Sequence, residues 1–159
     1  MIIKAIETEW FQDYKVPSMF IAFPKCSFKC ERECGVCCCQ NSTLTKRDDI
    51  HITLDEIVRQ YKRNPITKAI ICGGLDPMDS FDDLHDLVRC VRIEHNIDDD
   101  IVIYTGYTRD EVEERVKILK EYKNIVVKFG RFIPNGTKRY DDVLGVRLAS
   151  DNQYAERIS

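Results

Sequence analysis

Six of the chain's eight cysteines, Cys26, Cys30, Cys34, Cys37, Cys38 and Cys39, fall within 14 consecutive residues. Thiolates are soft ligands, and clustered thiols in a reducing compartment select zinc or iron–sulfur clusters. Cys26-x3-Cys30 with Cys34-x2-Cys37 supplies four sulfurs for a closed tetrahedral zinc site. Zinc modules usually separate such pairs by a dozen or more residues, and this pairing leaves Cys38 and Cys39 without a role. A 4Fe–4S cluster on three cysteines is the other use of the loop, leaving one iron open to a substrate or cosubstrate. No His/Asp/Ser constellation suggests general acid–base or nucleophilic chemistry.

The elements that must hold this loop follow a regular alternation. Met19 to Pro24 is a short apolar run leading into the cysteine loop at 24–41. Thr53 with Glu56 forms a capping-box pattern ahead of Leu54, Ile57, Val58 and Tyr61, which fall at helical spacing, and Asn64-Pro65 ends that helix. Thr67 to Cys72 reads as a buried strand stopped by Gly73-Gly74. A second helix starts at Ser80, with Phe81, Leu84, Leu87, Val88 and Val91 as its apolar face, and Ile101 to Thr105 is the next strand. Thr108 with Glu111 repeats the capping box before a helix carrying Val112, Val116, Leu119 and Tyr122. Ile125 to Phe129 is another buried strand, and Leu144 to Ala149 is expected to be the last.

Strands alternating with single helices predict right-handed crossovers and a mostly parallel sheet in one α/β domain over 1–159. Ligands of such sheets bind at the carboxyl ends of the strands. The cysteine loop, 73–77, 105–107, 130–131 and 150–153 all follow strand ends, so they are expected to surround one site.

The chain's 159 residues are 43% apolar and 32% charged, the balance of one compact domain. A chain this long buries roughly 70% of its unfolded surface, so it needs no staple merely to fold. Its 24 Lys+Arg against 27 Asp+Glu create no basic field, which argues against nucleic acid and anionic membranes as partners. No apolar run approaches the roughly 18 to 20 residues of a spanning helix. Residues 1–10 carry Lys4, Glu7 and Glu9 and lack a signal-peptide core, so a cytoplasmic location is expected.

Cys26-Ser27-Phe28-Lys29-Cys30, with a third cysteine on the same loop, resembles the radical S-adenosylmethionine enzymes, whose usual pattern is C-x3-C-x2-C. Residue 33, where that spacing puts the third cysteine, is Glu33. Many relatives follow the third cysteine with Gln-Asn or His-Asn, and Cys39-Gln40-Asn41 matches. The resemblance therefore implies Cys26, Cys30 and Cys39 as ligands across an eight-residue expansion, with Cys34, Cys37 and Cys38 as alternatives. Phe28 takes the position of an aromatic that lies near the adenine. Gly73-Gly74-Leu75-Asp76-Pro77 resembles the Gly-Gly-Glu segment whose backbone holds the cosubstrate's amino group.

The segments Ile103 to Tyr107, Lys128 to Phe132 and Leu148 to Gln153 resemble strand ends of the activating proteins for anaerobic ribonucleotide reductase. Tyr14-Lys15-Val16-Pro17 stands where those activators usually carry Asn-Gly-x-Gly. The resemblance implies a shortened, partial (β/α)6 TIM-like barrel holding a 4Fe–4S cluster and S-adenosylmethionine. It further implies Phe28, Gly73, Gly74, Asp76, Thr105, Arg131, Ser150 and Asn152 as cosubstrate contacts. A glycyl-radical protein would be the hydrogen donor, and a flavodoxin or ferredoxin the electron donor. The alternative is a non-catalytic zinc- or iron–sulfur-binding domain using Cys26 to Cys39.

Plainer roles are expected elsewhere. Cys72 and Cys90 lie in apolar-patterned elements as inert buried thiols. His51, His85 and His95 share no ligand spacing, and Asp98-Asp99-Asp100 reads as a solvated connection.

Overall fold

The computed structural model describes residues 1–159. In chain order its elements are β1 (Ile2–Ile3), β2 (Ala5–Trp10), β3 (Ser18–Phe23), α1 (Lys29–Cys34), β4 (Ile50–His51), α2 (Leu54–Arg63) and β5 (Ala69–Gly74). Then follow α3 (Phe81–Arg89), β6 (Asp100–Tyr104), α4 (Glu113–Leu119), β7 (Ile125–Phe129), β8 (Arg139–Asp141), β9 (Val146–Leu148) and β10 (Tyr154–Arg157). The central sheet runs β10-β7-β6-β5-β3-β2. Its four inner strands are parallel, and both edge strands are antiparallel to their neighbours. The mostly parallel α/β sheet expected from the alternation is present. It is open at both edges and does not close into a barrel.

Because the inner strands are ordered as they occur in the chain, successive crossovers of one hand stack α2, α3 and α4 on a single face. Strand residues alternate accordingly. Met19, Ile21, Phe23, Ile70, Cys72, Ile101, Ile103, Ile125, Val127 and Phe129 pack with Ile57, Leu84, Leu87, Val116 and Leu119 in the main core. Each large side chain fully buried there contributes roughly 1.5–3 kcal/mol. The opposite face carries Phe20, Ala69, Ile71, Val102, Tyr104, Val126 and Ala155, covered at one end by Tyr14, Leu144 and Leu148. No helix is long and apolar enough to cross a membrane.

Three details differ from the sequence expectation. Leu144 to Ala149 does not join the central sheet: Val146–Leu148 pairs with β8 in a separate hairpin. Its apolar residues are needed to cover the helix-free face, and Tyr154–Arg157 takes the sheet edge instead. The Asp98–Asp100 run is more than a solvated connection. Asp99 accepts from the Tyr61 hydroxyl at 2.6 Å, and Asp100 accepts from Tyr14 at 2.6 Å and pairs with both Arg157 terminal nitrogens. Finally, α4 begins after a 3-10 turn at Asp110–Val112. Glu111 accepts from the Thr108 amide at 2.9 Å, but the reciprocal half of that capping box is absent.

At α2 one half of the expected capping box forms, with Thr53 Oγ1 accepting from the Glu56 amide at 3.2 Å, while the Glu56 carboxylate turns instead to Gln60 and Arg59. Thr53→Ala removes this partner and should destabilise the protein by about 1 kcal/mol, lowering Tm by about 3 °C in a thermal melt.

Candidate metal centre

Parallel register brings the inner strands to a common finish, with Phe23 opposite Gly74, Ala22 opposite Gly73 and Tyr104 opposite Lys128. Beyond that finish lies a cleft of about 540 Å³ on the helix-free side of the sheet. All five expected segments contribute to its lining: Cys26, Cys30 and Cys39 from the loop, Gly73 to Asp76, Thr105-Gly106, Gly130, and Gln153. The row across its floor is short-chained at Ala22 and Gly73, which leaves space above the sheet. Gly74 has φ +81°, and a Cβ there would come within 2.7 Å of Ala22 Cβ, so the turn that opens the cleft requires glycine. Gly106 packs beside the loop: a Cβ there would lie 3.4 Å from Cys30 Sγ, in ordinary contact.

The cysteine loop is tied to this edge by polar contacts from neighbouring strand ends. The Ser27 amide donates to Asp79 at 2.6 Å, while the Ser27 hydroxyl lies 3.2 Å from the Tyr107 hydroxyl. Lys29 pairs with Glu111 at 3.1 Å, and the Asn41 side chain donates to the Gly74 carbonyl at 2.8 Å. Cys26 Sγ accepts from the Phe28 amide at 3.3 Å, and Glu31 accepts from the Cys39 amide at 3.1 Å. Phe28 itself sits at φ 52°, starting the short α1 that carries Cys30.

The six loop thiols thus divide into two groups. Cys26, Cys30 and Cys39 line the cleft. Cys34, Cys37 and Cys38 do not; Cys34 and Cys37 are exposed, and Cys34 Sγ lies 2.9 Å from Cys38 Sγ. Burial, with Asp76 and Asp79 nearby, pushes the Cys26 thiol up to about 11, and burial also raises Cys39. A metal must therefore displace thiol protons on binding. No three loop thiols have sulfurs mutually within 4.8 Å. A tetrahedral zinc, with sulfurs about 2.3 Å from the metal, would hold them roughly 3.8 Å apart. The loop thiols as placed do not form such a tetrahedron.

Asp76 sits at the heart of the cleft wall. It is buried, accepting from Gly106 N at 2.8 Å, Thr105 Oγ1 at 3.0 Å and Met78 N at 3.0 Å. Burial raises its carboxyl to about 6 against those hydrogen bonds. Opposite stands Lys128, which the sequence reading did not single out. Its Nζ donates to the Gly130 carbonyl at 2.8 Å, and burial lowers the ammonium to about 8. A lone lysine inside the otherwise apolar strand Ile125–Phe129 is the signal that marks it.

Other predicted contacts lie elsewhere. Phe28 lines a shallow pocket with Glu31 and Cys37 on the far side of the loop. Arg131 is buried and held by carboxylates, donating to both Glu111 oxygens at 2.8 and 2.6 Å. Its Nε lies 2.8 Å from Glu33 Oε1 without the alignment of a hydrogen bond. Arg131 in turn holds Glu111 well below the usual carboxylate range. Glu33, at the position of the usual third cysteine, thus helps fasten α1 to the sheet. Ser150 and Asn152 both donate to the Arg131 carbonyl, at 3.5 and 2.9 Å, and support the turn around Gly130. Neither lines the cleft, whereas Gln153 does.

A family model described as a 4Fe-4S single cluster domain matches residues 19–153, from β3 through the turn before β10. No curated protein matches the chain.

Proposed function

The chain belongs to the 4Fe-4S single cluster domain family, and from that premise we propose that it is a radical S-adenosylmethionine enzyme with Cys26, Cys30 and Cys39 as cluster ligands. One observation carries the reading: three of the loop's six thiols open into one cleft, and three are turned away. Three thiolates on four irons leave one iron free to chelate a small molecule. The chemistry such a group supplies when bound is one electron to S-adenosylmethionine, giving methionine and a 5′-deoxyadenosyl radical that takes a hydrogen atom.

The chain's own residues bind, orient and shield. Asp76 accepts three hydrogen bonds from the protein and still borders the cleft, so its carboxylate fixes the wall against the strand ends. The Gly73-Gly74 backbone is bare of side chains where an amino group would approach. Lys128 presents a positive charge toward the same space, suited to a carboxylate. Thr105 orients Asp76, and the Arg131–Glu111–Glu33 cluster holds the loop from behind. The helix-free face continues into an apolar wall of Trp10 stacked on Phe20 at 5.0 Å, with the Trp10 indole N–H already engaged by Asp13 at 2.6 Å. The three βα units form a shortened segment of a partial barrel in this reading. A glycine Cα of a partner glycyl-radical protein, such as an anaerobic ribonucleotide reductase, supplies the hydrogen, and a flavodoxin or ferredoxin the electron.

Anaerobically reconstituted protein should be brown and, once reduced, should convert S-adenosylmethionine to 5′-deoxyadenosine, measured by chromatography. A colourless protein with one stoichiometric zinc would instead establish the non-catalytic metal-binding alternative.

A further inference from the structure

A second convergence of ligand atoms lies in the helical layer, away from the cysteine loop. Asp55 Oδ1 is 3.1 Å from His95 Nε2, and the Cys90 sulfur completes a trio whose ligand atoms all lie within 4.8 Å of one another. We propose that Asp55, Cys90 and His95 form a second metal site, taking one zinc-class divalent cation. The proposal stands independently of the cluster reading, because none of its residues touches the cleft.

The local backbone explains the meeting. Cys90 and His95 are five residues apart, which in an α-helix separates them by about 140° around the axis. Here α3 runs on into a π turn over Cys90–Glu94, and the His95 amide donates to the Cys90 carbonyl at 3.0 Å. The wider turn swings residue i+5 back over residue i. Such turns are rare and are found frequently at functional sites. Asp55 reaches in from the first turn of α2. The thiol forms a floor that is only 1% exposed, while the imidazole is one-quarter exposed and the carboxylate faces solvent. The pocket is therefore closed on the protein side and open to an entering ion.

Donor chemistry selects the metal. One thiolate, one imidazole and one carboxylate form a mixed S/N/O set suited to zinc, with the fourth tetrahedral position left for water. Glu94 adds negative charge beside the thiol and is itself paired with Arg89 at 2.8 Å. Binding breaks the Cys90 S–H bond and releases that proton to solvent. The His95–Asp55 hydrogen bond is exchanged for two metal bonds, as the imidazole proton moves from Nε2 to Nδ1. Lys62, whose Nζ lies 3.3 Å from His95 Nδ1, is exposed and free to turn outward.

The test is an anaerobic zinc titration of the cluster-loaded full chain against a chromophoric chelator, with zinc X-ray absorption as a second readout. The wild type should take up one more zinc than His95→Ala, in a shell of one sulfur and three nitrogen or oxygen atoms. Losing His95 or Asp55 should weaken that zinc by more than the roughly 10- to 100-fold typical of an outer-sphere partner. Both variants change groups at the surface, and far-UV circular dichroism should report an unchanged fold. A zinc bound equally by wild type, His95→Ala and Asp55→Asn, or an all-sulfur shell, would overturn the proposal.

Discussion

Anaerobically purified Cys39→Ala protein is expected to be colourless, its iron falling from about four per chain to near none, while Cys38→Ala stays brown. The two residues are adjacent, yet the loop sends them in different directions. Glu31 accepts from the Cys39 amide and anchors that backbone, and Cys39 opens into the cleft with Cys26 and Cys30. Cys38 lies 2.9 Å from Cys34 Sγ, outside the cleft lining. With only two thiolates left, the cluster loses a covalent ligand for which no neighbour in the cleft substitutes. The substitution itself is mild for folding, because Cys39 is half-buried and belongs to neither core cluster. Iron and sulfide analysis with visible absorption spectra checks both variants. A colourless Cys38→Ala beside a brown Cys39→Ala would move the third ligand to Cys38, and equal loss in Cys34→Ala would require the exposed thiols to fold inward.

The division of the thiols was legible in the sequence only through Gln40-Asn41, since the expanded loop obeys no spacing rule. What places Cys39 is tertiary: the Asn41 side chain donates to the Gly74 carbonyl, and the Glu31 carboxylate accepts from the Cys39 amide, fixing the loop's return to the sheet. The parallel core was easier to read. Strands covered on one face by helices and bordered by strands on both sides are continuous apolar runs, and Ile57, Val58 and Tyr61 repeat at helical spacing. The edges were harder. Tyr154–Arg157 is short and mixed in polarity because its outer side faces solvent, and it carries little of the pattern of a buried strand. Leu144 and Leu148 signal burial correctly, but apolarity does not say which face of the sheet they cover.

The same limit explains Arg131, a charged residue just past a strand end, which reads equally as a ligand contact or a structural ion pair. In the folded chain Arg131 is paired with Glu111 and Glu33, partners that spacing along the chain does not announce. Cys90 was read rightly as buried, yet its meeting with His95 depends on a π turn that no periodicity in the segment announces.

Replacing Lys128 should move stability and function in opposite directions. Lys128→Met keeps the length of the chain and removes the charge, and it is expected to raise the Tm of the cluster-free protein at pH 7. The ammonium is 6% exposed and its hydrogen bond goes to a carbonyl, so burial is incompletely compensated. Its pKa falls from 10.5 to about 8 in the folded chain. Between about pH 8 and 10.5 the unfolded chain therefore binds more protons than the folded one, and stability rises with pH across that window. Below pH 8 the full penalty of burying the charge is present. Removing it should gain about 1 to 3 kcal/mol, with the loss of attraction to Asp76 holding the figure below the whole penalty. Differential scanning calorimetry at pH 7 and pH 10 checks the sign: the variant's advantage should shrink at the higher pH. In the cluster-loaded protein the same substitution should weaken S-adenosylmethionine on the order of 100-fold, the loss of a charge-assisted contact, while iron content is unchanged. A lysine kept only for structure would give the reverse, a less stable variant with unaltered cosubstrate binding. On the proposed function, the stability cost of a buried charge beside three cleft-lining thiols is offset by the carboxylate it would bind.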